Sequence, residues 1–468
     1  MASVMLDHAA YLDFIASKAG TTRAAGFTPQ ESWPSLFEHQ RLALAFACER
    51  GRAANFLDTG LGKSRTEAAF AQEGCRQTGR PSLILTPLAV ARQMQRECEA
   101  VGVDARVVRE DADVWSGVNI ANYERLPKLD VHRFGAVVLD ESSILKSFTG
   151  QTKRALCEAF AGTPYRLAAT ATPAPNDHME IGQHSEFLGV MPGPEMLSRW
   201  FISDQTTMGG YRLKGHAVAS FWAWVASWSR AASLPSDMGG DDTGFILPPL
   251  RYEVHGVSPD LSQDADGLLF RIPDQSATSI HREKRLTLAD RVARAADLAN
   301  AETGPVLVWC ETNAESSALA KAISDAVEVH GSQTLEAKED GLDGFATGKY
   351  RVLVSKPKLA GFGLNFQHCS TVIFASISHS YEQHYQAVRR VWRFGQKLPV
   401  TAHIVLADTE RPIWANVRRK ADDHDRMKSA MARAMVGAQN GARLRVAYTR
   451  VPDVTLPAFM QRGQGNAC

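Results

Sequence analysis

Asp58-Thr59-Gly60-Leu61-Gly62-Lys63-Ser64 and Val137-Val138-Leu139-Asp140-Glu141-Ser142-Ser143 are the two stretches on which the fold turns. Each is led into by an apolar, strand-like run: 53–57 before the first, 136–140 into the second. In the first, glycines allow backbone N–H groups to close on phosphate oxygens, Lys63 neutralises charge and Ser64 can ligate Mg²⁺. In the second, an acidic pair ends a strand, where α/β sheets hold their ligands; Asp140 can hold the metal and Glu141 can polarise a water. Alone, the first also fits an ordinary strand-to-helix turn and the second a helix cap. Leu57 stands where the usual phosphate loop has Gly. Their order, with room for roughly two or three βα units between them, points to nucleoside triphosphate hydrolysis.

The sequence around these stretches alternates in kind. Strand-like runs at 53–57, 82–86, 118–121, 136–140 and 166–170 are interleaved with helix-compatible segments at 63–77, 88–100 and 151–161. That alternation predicts a parallel sheet with helices on both faces. A second alternating block begins near Leu286, with strands at 306–310, 327–330, 351–355, 371–375 and 401–406 and helices at 313–326, 335–346 and 381–393. It carries no phosphate loop of its own. Between the blocks, residues 195–234 are aromatic and helix-like, with Trp200, Phe201, Phe221, Trp222, Trp224 and Trp228. These aromatics read as packing for a helical insert, with base stacking as the alternative. A turn-rich linker follows through Pro248-Pro249.

The expected division is a segment 1–29, an α/β nucleotide-binding domain 30–190, a helical insertion and linker 191–285, a second α/β domain 286–427 and a basic tail 428–468. The tail carries Lys428, Arg433, Arg443, Arg445, Arg450 and Arg462 against Asp453. It is a candidate for phosphate contact.

Bulk properties narrow the class. The chain has 468 residues, 44% hydrophobic and 22% charged, with a formal net charge of +1. A nucleic-acid partner must therefore be met by a local basic surface rather than a global field. Seven cysteines are scattered with no Cys-x-x-Cys pair. This argues against a zinc ribbon or disulfide framework and for a reducing compartment such as the cytoplasm. No secretory leader is expected, and the apolar run 218–228 is too short to span a bilayer.

Three further stretches complete a set: Leu167-Ala168-Ala169-Thr170-Ala171-Thr172-Pro173-Ala174-Pro175-Asn176, Gly361-Phe362-Gly363-Leu364-Asn365, and Gln386-Ala387-Val388-Arg389-Arg390-Val391-Trp392-Arg393-Phe394-Gly395-Gln396. Together with the opening pair they resemble the ordered motifs of superfamily 2 helicases and translocases over roughly residues 36–406. The threonine and arginine stretches look like the Snf-type DNA translocases, and Lys356–Gly363 is similar to compact Snf-like DEAD/DEAH-box helicases of phages and prophages.

The resemblance implies two RecA-like domains, ATP and Mg²⁺ as ligands, and DNA as a sequence-tolerant partner. It implies catalytic roles for Lys63, Asp140, Glu141, Arg390 and Arg393, with the arginines at i, i+3 on one helix face reaching across a cleft. Phe37, Gln40, Asp58, Thr59, Gly60, Leu61, Gly62, Lys63, Ser64, Gly363 and Gln386 are implied nucleotide contacts, with Ser64 and Asp140 on the metal. Thr170 and Thr172 would couple hydrolysis to the nucleic-acid path, and Thr86, Pro87, Asn122, Tyr123 and Lys356 would touch its backbone. Ser143 departs from the family, many of whose members have His there. The alternatives are an RNA helicase, a nucleic-acid scaffold with a vestigial ATPase, or the motor subunit of a restriction or defence complex.

Overall fold

The computed structural model describes residues 26–87, 90–146, 150–204, 210–257, 284–357, 359 and 365–443. Two parallel sheets form two lobes. The near-lobe sheet is built from β1 (Arg52–Leu57), β2 (Ser82–Thr86), β3 (Ala105–Val107), β4 (Val118–Asn122), β5 (Ala136–Asp140), β6 (Tyr165–Ala169) and β9 (Ser229–Ala232). Its order is β3-β4-β2-β5-β6-β1-β9. The hairpin β7 (Phe201–Asp204) and β8 (Gly210–Leu213) stands apart as an antiparallel pair.

The far-lobe sheet contains β10 (Leu250–Val257), β11 (Val306–Trp309), β12 (Ala326–Val329), β13 (Val352–Ser355), β14 (Thr371–Phe374) and β15 (Val400–Ala407). They run in the order β10-β15-β14-β11-β13-β12. These are the expected two RecA-like α/β lobes.

Both sheets are buried on two faces, as parallel sheets require. In β2, Leu83 and Leu85 enter one core while Ile84 faces the other, following the two-residue period of a strand. In β11, Leu307 and Trp309 point one way and Val306 and Val308 the other.

The segment between the lobes departs from a purely helical insertion. Gly193–Trp200 and Val218–Trp228 are helices, but the hairpin lies between them. Past residue 190, β9 pairs with β1 as the edge strand of the near sheet, with Ala54 opposite Ser229. Phe221, Trp222, Trp224 and Trp228 are buried in the near-lobe core, so packing rather than base stacking occupies these aromatics. β10, within the expected linker, is the edge strand of the far sheet. Among the described residues, no helix is long and apolar enough to cross a membrane, and Cys48, Cys75, Cys98, Cys157, Cys310 and Cys369 are free thiols.

A second departure is the helix Arg411–Arg443, which runs on from the far lobe past residue 428. Ile413 belongs to the far-lobe core, whereas Met427, Met431 and Met435 are buried in the near-lobe core. One helix therefore spans both lobes. The basic residues beyond Arg443 lie outside the described residues, as does Gly363.

Candidate nucleotide cleft

The strand order brings the two decisive stretches together. β6 lies between β1 and β5, so the loop after β1, the acidic end of β5 and Thr170 after β6 emerge side by side. Thr170 N–H donates to Asn55 O at 3.1 Å, closing this row at the strand ends.

The loop 58–62 turns through two left-handed glycines, Gly60 at φ +97° and Gly62 at φ +76°. A Cβ on Gly62 would stand 2.1 Å from the Gln40 amide nitrogen. Glycine is needed there for both reasons. Gln40 Nε2 donates to Leu61 O at 3.0 Å, and its Oε1 accepts from Phe37 N–H at 3.0 Å. The amide expected to read a base edge is thus buried and engaged in bracing the loop. Phe37 is exposed at 46%, its ring parallel to that of His39 with centroids 6.0 Å apart. It meets Phe245 edge-on, with centroids 5.4 Å apart. Leu61 is buried, and its contribution is the carbonyl that His39 and Gln40 hold.

Lys63 opens the helix Lys63–Thr78, and its Nζ donates to Leu57 O at 3.0 Å. Across the row, Asp140 ends β5, and Glu141 sits in left-handed backbone at φ +52°. Thr170 Oγ1 donates to Glu141 Oε2 at 3.5 Å, and Thr172 N–H donates to Thr170 Oγ1 at 3.1 Å. The threonine stretch therefore touches the acidic pair directly.

A cleft of about 690 Å³ is lined by Phe37, Gln40, Thr59, Gly60, Gly62, Lys63, Ser64, Asp140 and Glu141 from the near lobe. Gln386, Arg390 and Arg393 line it from the far lobe. The helix carrying Gln386 ends at Val388, so Arg390 and Arg393 sit in the turn beyond it rather than on a helix face. Shortening the helix lets both reach the cleft. Arg393 Nη1 is steadied by Asn365 Oδ1. The Nε groups of both arginines are buried without a partner, which leaves donors for an anion.

The electrostatics of the cleft follow from burial of opposed charges. Burial pushes the Asp140 carboxyl up to about 7, Glu141 adds to the rise, and Lys63 and Arg390 oppose it. Burial also raises Glu141, against Lys63 and Arg390. Glu67, one turn beyond Lys63, is fully buried with both oxygens unpartnered. Burial and Asp140 hold it well above the usual carboxylate range. Burial lowers Arg390 while Glu141 and Asp140 raise it, as befits a guanidinium facing carboxylates. A divalent cation suits this concentration of carboxyl groups beside Ser64.

Several implied contacts have other employment. The Asp58 carboxylate, 4% exposed, faces the far lobe: it accepts from Arg389 Nη2 at 2.8 Å, Lys428 Nζ at 2.9 Å and the Tyr385 hydroxyl. Burial pushes its pKa up, but Arg389 and Lys428 outweigh burial and hold it well below the usual range. Asp58 is a link between lobes, not an open phosphate contact.

Tyr123, implied as a nucleic-acid contact, is buried and donates its hydroxyl to Asp140 O at 2.7 Å. Thr86 is buried and donates to Pro87 O at 3.3 Å. Both hydroxyls are thus spent on the protein's own carbonyls rather than offered to a nucleic-acid backbone. Pro87 lines the nucleotide cleft, and Asn122 and Lys356 are half-buried.

The sequence reading missed His184, and it missed that Arg389 and Lys428, the latter expected in a phosphate-contacting tail, pair with Asp58. His184 is buried; its Nε2 lies 3.0 Å from Pro173 O and its Nδ1 3.3 Å from Ser142 Oγ. The carbonyl accepts, so Nε2 carries the proton and Nδ1 accepts from the serine. Burial lowers its pKa to about 4, keeping it neutral. The helix Ile181–Leu188 thus places an imidazole between Ser142, beside the acidic pair, and Pro173 of the threonine stretch. Only an isolated His in an apolar helix signalled it.

The sequence pattern of the helicase conserved C-terminal domain matches residues 288–395, the greater part of the far lobe with its arginine turn. The bovine (Bos taurus) SWI/SNF-related matrix-associated actin-dependent regulator of chromatin subfamily A-like protein 1 is 21% identical over 429 residues, 82% of this chain and 44% of that protein.

The far lobe thus matches the helicase C-terminal family, and the chain as a whole is similar to an SWI/SNF-related protein. DEAD-box ATP-dependent RNA helicase 21 of Oryza sativa subsp. japonica is 29% identical over 110 residues, 23% of this chain and 15% of that protein. The chain thus spans less than half the length of either curated relative. Among solved structures, the Sulfolobus solfataricus SWI2/SNF2 ATPase core in complex with dsDNA aligns at 16% identity and a TM-score of 0.41, over 89% of this chain and 98% of that one.

Proposed function

We propose that the chain is a DNA-dependent ATPase motor that couples ATP hydrolysis to movement along DNA. The observation that carries this reading is the shared cleft: Arg390 and Arg393 of the far lobe line the same cavity as Lys63, Ser64, Asp140 and Glu141 of the near lobe. Lys63 neutralises the phosphate oxygens that the loop 59–62 receives. Ser64 and Asp140 are the residues that would hold Mg²⁺, which supplies charge neutralisation at those oxygens.

Glu141 orients the attacking water and accepts its proton. Arg390 and Arg393 stabilise charge as the γ-phosphoryl group departs, a role worth about 10³–10⁵ in rate where arginine fingers serve it. Phe37 stacks on the base. Thr170, in contact with Glu141, and His184, between Ser142 and Pro173, transmit the state of the cleft to the threonine loop. Because the fingers and the phosphate loop belong to different lobes, hydrolysis requires closure, and closure and reopening step the lobes along a strand.

DNA is favoured as the track by the Snf-type arginine stretch, in keeping with a bovine relative named as a regulator of chromatin. The rice relative keeps RNA as the second reading. The finer expectations, kinship with phage and prophage DEAD/DEAH-box helicases and a cytoplasmic location, belong to the same proposal and rest on the stretch Lys356–Gly363 and the scattered cysteines.

The test is an ATPase assay comparing single-stranded DNA, duplex, fork and RNA side by side. Glu141→Gln is expected to bind ATP normally and lose at least about 10²-fold in stimulated turnover. Arg390→Ala is expected to lose about 10³-fold or more with nucleotide affinity nearly unchanged. Turnover by Glu141→Gln near the unmodified level would place the base elsewhere, and stimulation by RNA alone would overturn the DNA reading.

A further inference from the structure

We propose that Glu253, His255 and His403 form a divalent transition-metal site of the Zn²⁺ class that staples the entry strand of the far lobe to its sheet. The site follows from strand register. β10 and β15 pair in parallel with Glu253 opposite His403, and His255 lies two residues further along β10, on the same face. One ligand atom from each residue lies within 4.8 Å of the other two. His255 Nε2 is 2.9 Å from His403 Nδ1, and His403 Nδ1 is 3.4 Å from Glu253 Oε2.

Metal–nitrogen and metal–oxygen bonds of about 2.0–2.2 Å in a tetrahedral shell set donors about 3.3–3.5 Å apart. The carboxylate is already at that spacing, and the two imidazoles need to part by a few tenths of an ångström. Two imidazoles and one carboxylate suit Zn²⁺, Co²⁺ or Ni²⁺ and not Mg²⁺ or Ca²⁺, which take all-oxygen shells. Water completes the fourth position.

One neighbour competes with the metal. Arg294 Nη2 lies 3.1 Å from His255 Nδ1 and, as a guanidinium, can only donate. With Nδ1 accepting, the imidazole proton sits on Nε2 and is donated to His403 Nδ1. A metal on His255 Nε2 moves that proton to Nδ1, where it faces Arg294. The two arrangements therefore exclude each other. Arg294 is exposed on the helix Leu288–Ala301 and free to swing away.

None of the three ligands lines the nucleotide cleft between the lobes, so the metal's role is structural. β10 is the edge strand through which the chain enters the far sheet. A clip between it and β15 resists peeling when the lobes pull on each other.

Titration calorimetry of the full chain with ZnCl₂, nucleotide absent, tests the site, with Co²⁺ absorption in the visible reporting nitrogen ligation. The unmodified protein is expected to bind one Zn²⁺ at this site and to melt at a higher temperature with Zn²⁺. His255→Gln and Glu253→Gln, both at the sheet edge, are expected to bind at least about 10-fold more weakly and to lose the thermal gain. Arg294→Ala is expected to bind more tightly, a result that a merely structural hydrogen-bond cluster would not produce. Equal Zn²⁺ binding by the unmodified protein and His255→Gln, or weaker binding by Arg294→Ala, overturns the proposal.

Discussion

Glu141 is held in left-handed backbone at φ +52°, a conformation that costs a non-glycine residue about 1–2 kcal/mol. The strain puts the carboxyl on the cleft wall beside Thr170, where the proposed base must stand. Three carboxyl groups are buried at this point, and their burial, with mutual repulsion added, makes the site sensitive to pH. Asp140 is raised from 3.8 to about 7, so the folded state holds its proton where the unfolded chain has released it. Stability contributed by the neutral form is complete below the unfolded value and falls as pH rises from about 4 through about 7. Asp140→Asn keeps a neutral group there at every pH. In thermal melts without nucleotide it is expected to raise Tm at pH 7.5, with the gap shrinking toward pH 5. A gap that widens toward pH 5 would show Asp140 to be ionised throughout.

At the scale of elements, the helix Arg411–Arg443 is the feature with most consequence. Its far-lobe end is anchored by Ile413, and its Met427, Met431 and Met435 enter the near-lobe core beside Phe221, Trp224 and Trp228. Lys428 lies one residue from Met427 and reaches Asp58 at 2.9 Å. The expected phosphate-binding tail is, over its described part, a strap. Met431→Ala leaves a cavity where the strap meets the near lobe, and a loss of about 2–5 kcal/mol is expected in denaturant unfolding of the docked helix. Hydrogen exchange along 427–437 should rise in step. Unchanged exchange there would mean that the strap is held by its polar contacts alone.

For the whole molecule, the lobes meet through charge as well as through the cleft. Asp58 bonds Arg389, Tyr385 and Lys428, while Lys146–Glu382, Arg92–Glu339 and Lys420–Asn176 cross nearby. Asp58 is buried, so its pair with Arg389 is the one whose breakage is costly, about 3–5 kcal/mol for a desolvated ion pair left with one partner. Asp58→Ala is therefore expected to shift the lobes toward an open arrangement, read as lower energy transfer between dyes on the two lobes. Energy transfer equal to that of the unmodified protein would show that closure rests on the strap and not on this link. By itself the sequence determined the two α/β lobes, the phosphate loop, the acidic pair and the arginine stretch, though not the turn that carries Arg390 and Arg393, because strand periodicity, glycine placement and charged motifs are local signals. β9 and β10 were not legible, since a short edge strand carries little pattern until its neighbour pairs with it. Nor could the sequence tell that Tyr123 and Thr86 turn inward, that Asp58 serves the far lobe, or that His184 bridges Ser142 and Pro173. Those assignments depend on which buried polar group meets which across tens or hundreds of intervening residues, and only the packed structure decides that.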